Sequence, residues 1–175
     1  MSKRKLQVRT LTFLRHAKSS WKNAALADID RPLTKRGRRD ADAMALRIIE
    51  KGGSLDVVFA SPARRVRETV FRVINNIPVQ EARLVFDSAL YTFDGSTLIE
   101  ELKTLDDDLL HVTVVGHNPA LQDAIGWLVG CAVSAFPTTA CAQLTMPVAH
   151  WSDLKNGCAT LDWLLVPERK REVRH

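Results

Sequence analysis

Apolar positions along this chain gather into short runs, and helical repeats separate them. Leu11 to Leu14, with Val8 and Thr10 ahead of them, make a run of apolar and β-branched residues broken only by Arg9 and Thr12. That is the pattern of a short buried strand. The run stops at Arg15-His16 and gives way to small and polar residues as far as Trp21. Lys22 to Pro32, which contains Asp28-Ile29-Asp30-Arg31-Pro32, reads as a loop. From Thr34, suited to an N-cap, Ala41, Met44, Ala45, Ile48 and Ile49 recur at helical spacing until Gly52-Gly53. The intervening Arg36, Arg38, Arg39 and Asp40 read as a solvated face.

Leu55 to Ala60 predicts a second buried strand. Ser61-Pro62 follows as the cap and first turn of a helix that runs to Asn76. Ala82 to Phe86 reads as extended, and Ser96 to Leu105 as an amphipathic helix with Leu98, Ile99, Leu102 and Leu105 inward. The acidic run Asp106-Asp107-Asp108 is expected to be a solvated turn. Val112 to Val115 gives the clearest buried strand and ends in Gly116-His117-Asn118-Pro119. Asn118 would cap, and Pro119 would open, a helix to Val129. Cys141 to Met146 and Thr160 to Val166 read as further strands. This alternation predicts an α/β fold: a single three-layer α/β/α domain with a mostly parallel central sheet over residues 10–167. A basic N-terminal tail, 1–9, and a charged C-terminal tail, 168–175, would flank it.

Composition narrows the function classes. The length of 175 residues suits one domain, and no stretch reaches the roughly 18 apolar residues of a membrane span. Cys131, Cys141 and Cys158 are odd in number and widely spaced, which fits a reducing cytoplasm and no C-x-x-C metal pattern. No signal peptide is visible. The formal charge of +5 invites a nucleic-acid reading. Yet the basic groups, Lys3 to Arg9 with Arg36 to Arg39, Arg64 to Arg72 and Arg169 to Arg174, lack interleaved aromatics or a DNA-reading motif. Neither nucleic acid nor membrane is expected as a partner.

Two strands therefore end in histidine, at His16 and His117, and a third precedes a helix whose first turn carries arginines. Strand ends are where an open parallel sheet binds ligands, and a helix N-terminus favours anions. Positive side chains in that first turn are unfavourable for the helix itself, and an anionic ligand would compensate. If the strands are neighbours, His16, His117, Arg15 and Arg65 share one pocket suited to a tetrahedral dianion. One imidazole could attack phosphorus in line while the cations hold the developing charge. Metal ligation by two histidines would ordinarily need a third ligand and few adjacent cations, so no metal or other cofactor is expected.

Leu14-Arg15-His16-Ala17, Ser61-Pro62-Ala63-Arg64-Arg65-Val66-Arg67-Glu68-Thr69 and Val115-Gly116-His117-Asn118 resemble, in order and spacing, the signature of the histidine phosphatase superfamily. Arg31-Pro32-Leu33-Thr34-Lys35-Arg36-Gly37 is similar to that family's LTxxG segment. RHAKSSW and DIDRPLTKRG look most like the SixA-type phosphohistidine phosphatases. The resemblance spans Thr10 to Val129 and implies a phosphoglycerate mutase-like fold. It also implies His16 as the transiently phosphorylated nucleophile, Arg15 and Arg65 as phosphoryl ligands, and His117 as the second pocket histidine, donating to phosphoryl oxygens. Ala17 stands where the commoner form has glycine. Lys22 stands where the mutase branch has asparagine.

A general acid is not evident. Asn118 follows His117 in place of an acid, and Asp87, Asp94, Glu100 and Glu101 remain open as candidates. An alkoxide is the conjugate base of an acid about as weak as water, with pKa about 15.7. Neutral imidazole is the base of an acid with pKa about 6.5 and leaves with far less help. The resemblance thus implies a cytoplasmic, metal-independent, monomeric phosphatase acting on a phosphohistidine-bearing protein, such as a histidine phosphotransfer domain or phosphocarrier. Hydrolysis of a small sugar or nucleotide phosphate, and a non-catalytic phosphate-binding module, are the alternatives. A short chain without a long lid insertion is expected to leave an open, shallow pocket.

Overall fold

Residues alternate sides along the first strand, and that alternation sets the layers. In a computed structural model, which describes residues 7–53, 55–77 and 83–168, β1 (Arg9–Arg15) sends Leu11 and Phe13 to one face and Leu14 to the other. Along the chain follow α1 (Lys35–Glu50), β2 (Val57–Ala60), α2 (Arg64–Asn76) and β3 (Arg83–Phe86). Next come α3 (Gly95–Lys103), β4 (His111–Gly116), α4 (Ala120–Val129), β5 (Cys141–Met146) and β6 (Thr160–Leu165). The sheet order is β3-β2-β4-β1-β5-β6. The first four strands in that order are mutually parallel, while β5 and β6 extend the sheet antiparallel.

Helices α1 and α2 cover one face, packing Met44, Ile48, Val66 and Val70 against Leu14, Val58 and Val115. Helices α3 and α4 cover the other, packing Leu98, Leu102, Leu121 and Leu128 against Leu11, Phe13, Val112 and Val114. The three-layer α/β/α arrangement is therefore the one predicted. Among the described residues, no helix is long and apolar enough to cross a membrane.

Thr34 caps α1 as expected, its hydroxyl accepting from the Gly37 N–H at 2.9 Å. Two expected caps are not caps. Helix α2 begins at Arg64, after Ala63, and the Ser61 hydroxyl lies 2.8 Å from a ring nitrogen of His117 instead. Helix α4 begins at Ala120. The Asn118 amide donates to Phe136 O and Gln122 Oε1, bracing the loop before β5.

Residues 1–6 lie outside the described residues, and the N-terminal tail expected over residues 1–9 needs correction at Arg9 alone, because β1 opens there and that side chain is fully buried. Its guanidinium donates to the carbonyls of Asp107, Leu109 and Ala149 at 2.8, 2.8 and 2.5 Å. Asp107, expected in a solvated turn, accepts from the Trp151 N–H at 2.8 Å and sits 2.7 Å from His150 Nδ1. The acidic run is thus the exposed turn expected, and of its three residues Asp107 is the one that also reaches the buried Arg9. The C-terminal tail from Arg169 onward lies outside the described residues.

Candidate active site

The backbone ladder brings the two histidines together. Strand β1 pairs with β4 in parallel, Arg15 opposite Gly116, and the His16 N–H continues the ladder to Gly116 O at 3.2 Å. His16 and His117 therefore emerge side by side at the C-terminal ends of adjacent strands, ring centroids 5.3 Å apart. Strand β2, on the other side of β4, delivers Ser61 at the same edge, its N–H bonded to Val115 O at 3.0 Å.

Hydrogen-bond partners fix which nitrogen of each ring carries the proton. His16 Nδ1 lies 2.8 Å from Ala17 O, a carbonyl that can only accept. Nδ1 is therefore the protonated nitrogen, and Nε2 carries a lone pair. His117 Nδ1 lies 3.3 Å from Nη2 of Arg65, which can only donate, so His117 Nε2–H donates to Ser61 Oγ at 2.8 Å. Both rings are neutral near pH 7. Burial, followed by the positive charges of Arg65, Arg15 and Arg31, outweighs the bond to Ala17 and lowers the His16 pKa to about 4. Burial, followed by His16 and Arg65, lowers that of His117 to about 3.

Arg65 sits in the first turn of α2 and is 1% exposed. Nη1 donates to Asp28 O at 2.6 Å and Nη2 to Asp28 Oδ2 at 2.9 Å. Arg15 donates from Nη1 to Phe136 O at 3.0 Å, and burial lowers its pKa. The Nε–H groups of Arg15 and Arg65 are both buried and have no partner among the described residues. Buried donors of that kind suit an oxyanion.

The remaining motif residues hold the loop that carries His16. Thr69 Oγ accepts from the Ala17 N–H at 3.0 Å and donates to Arg65 O at 2.7 Å. Glu68 accepts from the Leu33 N–H at 2.9 Å. Gly37 lies so close to the loop that a Cβ there would be 2.3 Å from Lys18 O. Thr139, at a φ of 68°, donates its N–H to His16 O at 3.1 Å.

Several site residues were not legible as such. Asp28 joins Arg65, Tyr91 (hydroxyl to Oδ2, 2.6 Å) and Arg31 (Nε to Oδ1, 3.0 Å). Burial works to raise its pKa, but the Tyr91, Arg65 and Arg31 hydrogen bonds and the Arg65 charge prevail and hold it at about 2. Arg31 stacks on exposed Trp21, 3.6 Å from the ring centroid. Tyr91 and Phe93 flank His117 at centroid distances of 5.3 and 5.1 Å. Of the expected acids, Asp87 accepts from Ala89 N–H, Asp94 caps α3 and Glu100 pairs with Lys103. Glu101 lines a cavity of about 190 Å³ with Phe59, Leu102 and Val114, away from the histidines. Among the described residues, no group of three or more His, Cys, Asp and Glu could hold a metal ion.

Comparison with known proteins agrees with this geometry. Residues 11–109 match the model of the histidine phosphatase superfamily, branch 1. An uncharacterized protein of Mycobacterium tuberculosis is 32% identical over 164 residues, covering 88% of this chain and 99% of the relative. The structure of a SixA protein from Nakamurella multipartitia superposes with a TM-score of 0.75 at 28% identity, over 91% of this chain and 96% of that one. A protein histidine phosphatase SixA solved with tungstate gives 0.75 at 22% identity, over 90% and 97%. Ladder, motif positions and matched relatives lead to one conclusion: the chain belongs to the histidine phosphatase superfamily, branch 1, with the phosphoglycerate mutase-like fold of its SixA-type members.

Proposed function

We propose that this chain is a phosphohistidine phosphatase working through a phospho-His16 intermediate on a protein substrate. The lone pair on His16 Nε2 attacks phosphorus. A P–N bond to His16 forms as the P–N bond to the substrate imidazole breaks, and the departing imidazole takes up a proton from solvent. Water then displaces phosphate from His16. The bond from Nδ1–H to Ala17 O holds the ring in the required tautomer throughout. Arg15 and Arg65 hold the equatorial oxygens, using Nε–H donors that have no partner among the described residues. His117, neutral in the free protein, is drawn toward protonation by an arriving dianion, and its Nε2–H turns from Ser61 Oγ to a phosphoryl oxygen.

One observation supports the choice of substrate: Asp28 is the carboxylate bonded to this pocket's arginines, and it is ionised with its oxygens already engaged. A group with a pKa of about 2 donates no proton at neutral pH. An alkoxide leaving group needs such a donor far more than imidazole does. On this reading the leaving group is an imidazole, the proposed partner is a protein that bears it as phosphohistidine, and the proposed reaction uses no metal.

The test is turnover of such a protein against an alkyl monophosphate, glycerol phosphate, in EDTA, with wild type beside His16→Ala. Preference for phosphohistidine, lost in the variant, supports the proposal. Better cleavage of the ester points to a small phosphate ester. Activity abolished by EDTA and restored by a divalent cation would refute metal independence. Inactivity on both substrates would leave a phosphate-binding module.

A further inference from the structure

Three segments meet around Arg65: the loop after β1, the first turn of α2, and the loop that follows β3. Asp28 is the residue that joins them. Its carbonyl oxygen takes a hydrogen bond from Arg65 Nη1 at 2.6 Å, and Oδ2 takes one from Nη2 at 2.9 Å. Oδ2 also accepts from the Tyr91 hydroxyl at 2.6 Å, while Oδ1 accepts from Arg31 Nε at 3.0 Å. A guanidinium has five N–H donors in a rigid plane. Asp28 takes one from each terminal nitrogen, and His117 Nδ1 takes the other from Nη2 at 3.3 Å. What remains toward the pocket is the Nε–H, buried and without a partner among the described residues, on the edge it shares with the Nη2 N–H that meets His117; the second Nη1 N–H points the other way, toward Cδ.

We propose that Asp28 is the positioning residue of this site: it orients Arg65 so that the remaining edge of the guanidinium faces the transferring phosphoryl group. The inference rests on the reading of Arg65 as a phosphoryl ligand. Asp28 touches no reacting atom and acts through Arg65 alone. Tyr91 and Arg31 set the carboxylate that sets the guanidinium. Because Arg65 is 1% exposed, water cannot stand in for this carboxylate, and of the partners above the Asp28 carbonyl and His117 Nδ1 alone would still hold its plane.

The test is a double-mutant cycle with Asp28→Asn, Arg65→Ala and the combination, each first shown folded by circular dichroism. It is read on p-nitrophenyl phosphate turnover and separately on tungstate affinity by calorimetry. In the wild-type background Asp28→Asn is expected to lower kcat by about tenfold to a hundredfold with little change in KM, the scale for a misplaced catalytic contact. In the Arg65→Ala background it should add less than about twofold, because the group it orients is gone. Tyr91→Phe should follow the same pattern with a smaller factor.

An Asp28→Asn enzyme with wild-type kcat, or one that loses its full factor again beside Arg65→Ala, would overturn the proposal. Wild-type inactivity on every phosphate substrate would overturn the functional reading while the tungstate cycle still decides the role of Asp28. Absence of tungstate binding by wild type would overturn both.

Discussion

Acidification should destabilise this fold through two imidazoles that the site keeps neutral. His16 and His117 have native pKa values of about 4 and about 3, against about 6.5 in an unfolded chain. As pH falls below 6.5 the unfolded chain takes up protons that the native chain refuses. Stability is then present above about pH 6.5 and lost as pH falls toward the native pKa values. Between pH 6.5 and pH 5 the loss is 1.5 pH units at about 1.36 kcal/mol per unit, or about 2 kcal/mol for each imidazole. The figure requires only that the native pKa values lie below 5. The pair thus removes about 4 kcal/mol from a total that is typically 5–15 kcal/mol. Urea titrations at pH 7 and pH 5 on wild type, His16→Asn, His117→Asn and the double variant would measure it. Each single variant should recover about half of the pH-dependent loss. A double variant that loses as much stability between the two pH values as wild type does would refute the argument. The rings would then be hydrated, not desolvated.

Arg65→Ala should lower kcat/KM by about a hundredfold to a thousandfold, the scale for one lost charge-stabilising donor, with stopped or steady-state turnover as the measure. Near-normal activity would move the clamp to Arg64 or Arg67. Arg9→Met should cost about 3–5 kcal/mol in urea titration, because carbonyls of Asp107, Leu109 and Ala149 lose their donor. Its kcat should stay near wild type, since Arg9 lies at the far end of β1, about 20 Å from His16 at 3.3 Å per residue. Gly37→Ala should lower both stability, by about 1–3 kcal/mol, and kcat, because the new Cβ would meet backbone at 2.3 Å, two residues past His16. Wild-type turnover in that variant would show that the loop shifts without disturbing the nucleophile.

What the sequence disclosed and what it hid differ in kind. The strands β1, β2 and β4 were legible because β1 and β4 are buried on both faces, β2 is buried on one and half-buried on the other, and each reads as an apolar run. His16 and His117 were legible because they terminate such runs. Antiparallel pairing of β5 and β6 was not, since a buried strand carries no mark of its direction. Ser61 and Asn118 were misread for one reason. Each sits before a proline or a helix, where capping is the ordinary use of its side chain, but a nearer partner from another segment claims it. Arg9 looked like part of a solvated tail because its compensating carbonyls come from residues about a hundred positions away. Asp28 lay within a polar loop, and nothing local marks a carboxylate whose partners come from α2 and Tyr91.

The division of labour between ladder and loop carries a further consequence. His16 and His117 are held by strand register, where a slip of one position would invert every side chain on β1 and dismantle the core with the site. Trp21, Tyr91 and Phe93 hang on connecting segments that bear no such constraint. Under the proposed function, phosphoryl chemistry and choice of substrate therefore rest on different parts of the fold. Exchanging Trp21 and Phe93, with Tyr91 kept to brace Asp28, should redirect the reaction toward a different phosphorylated molecule while His16, held in the sheet, continues unchanged.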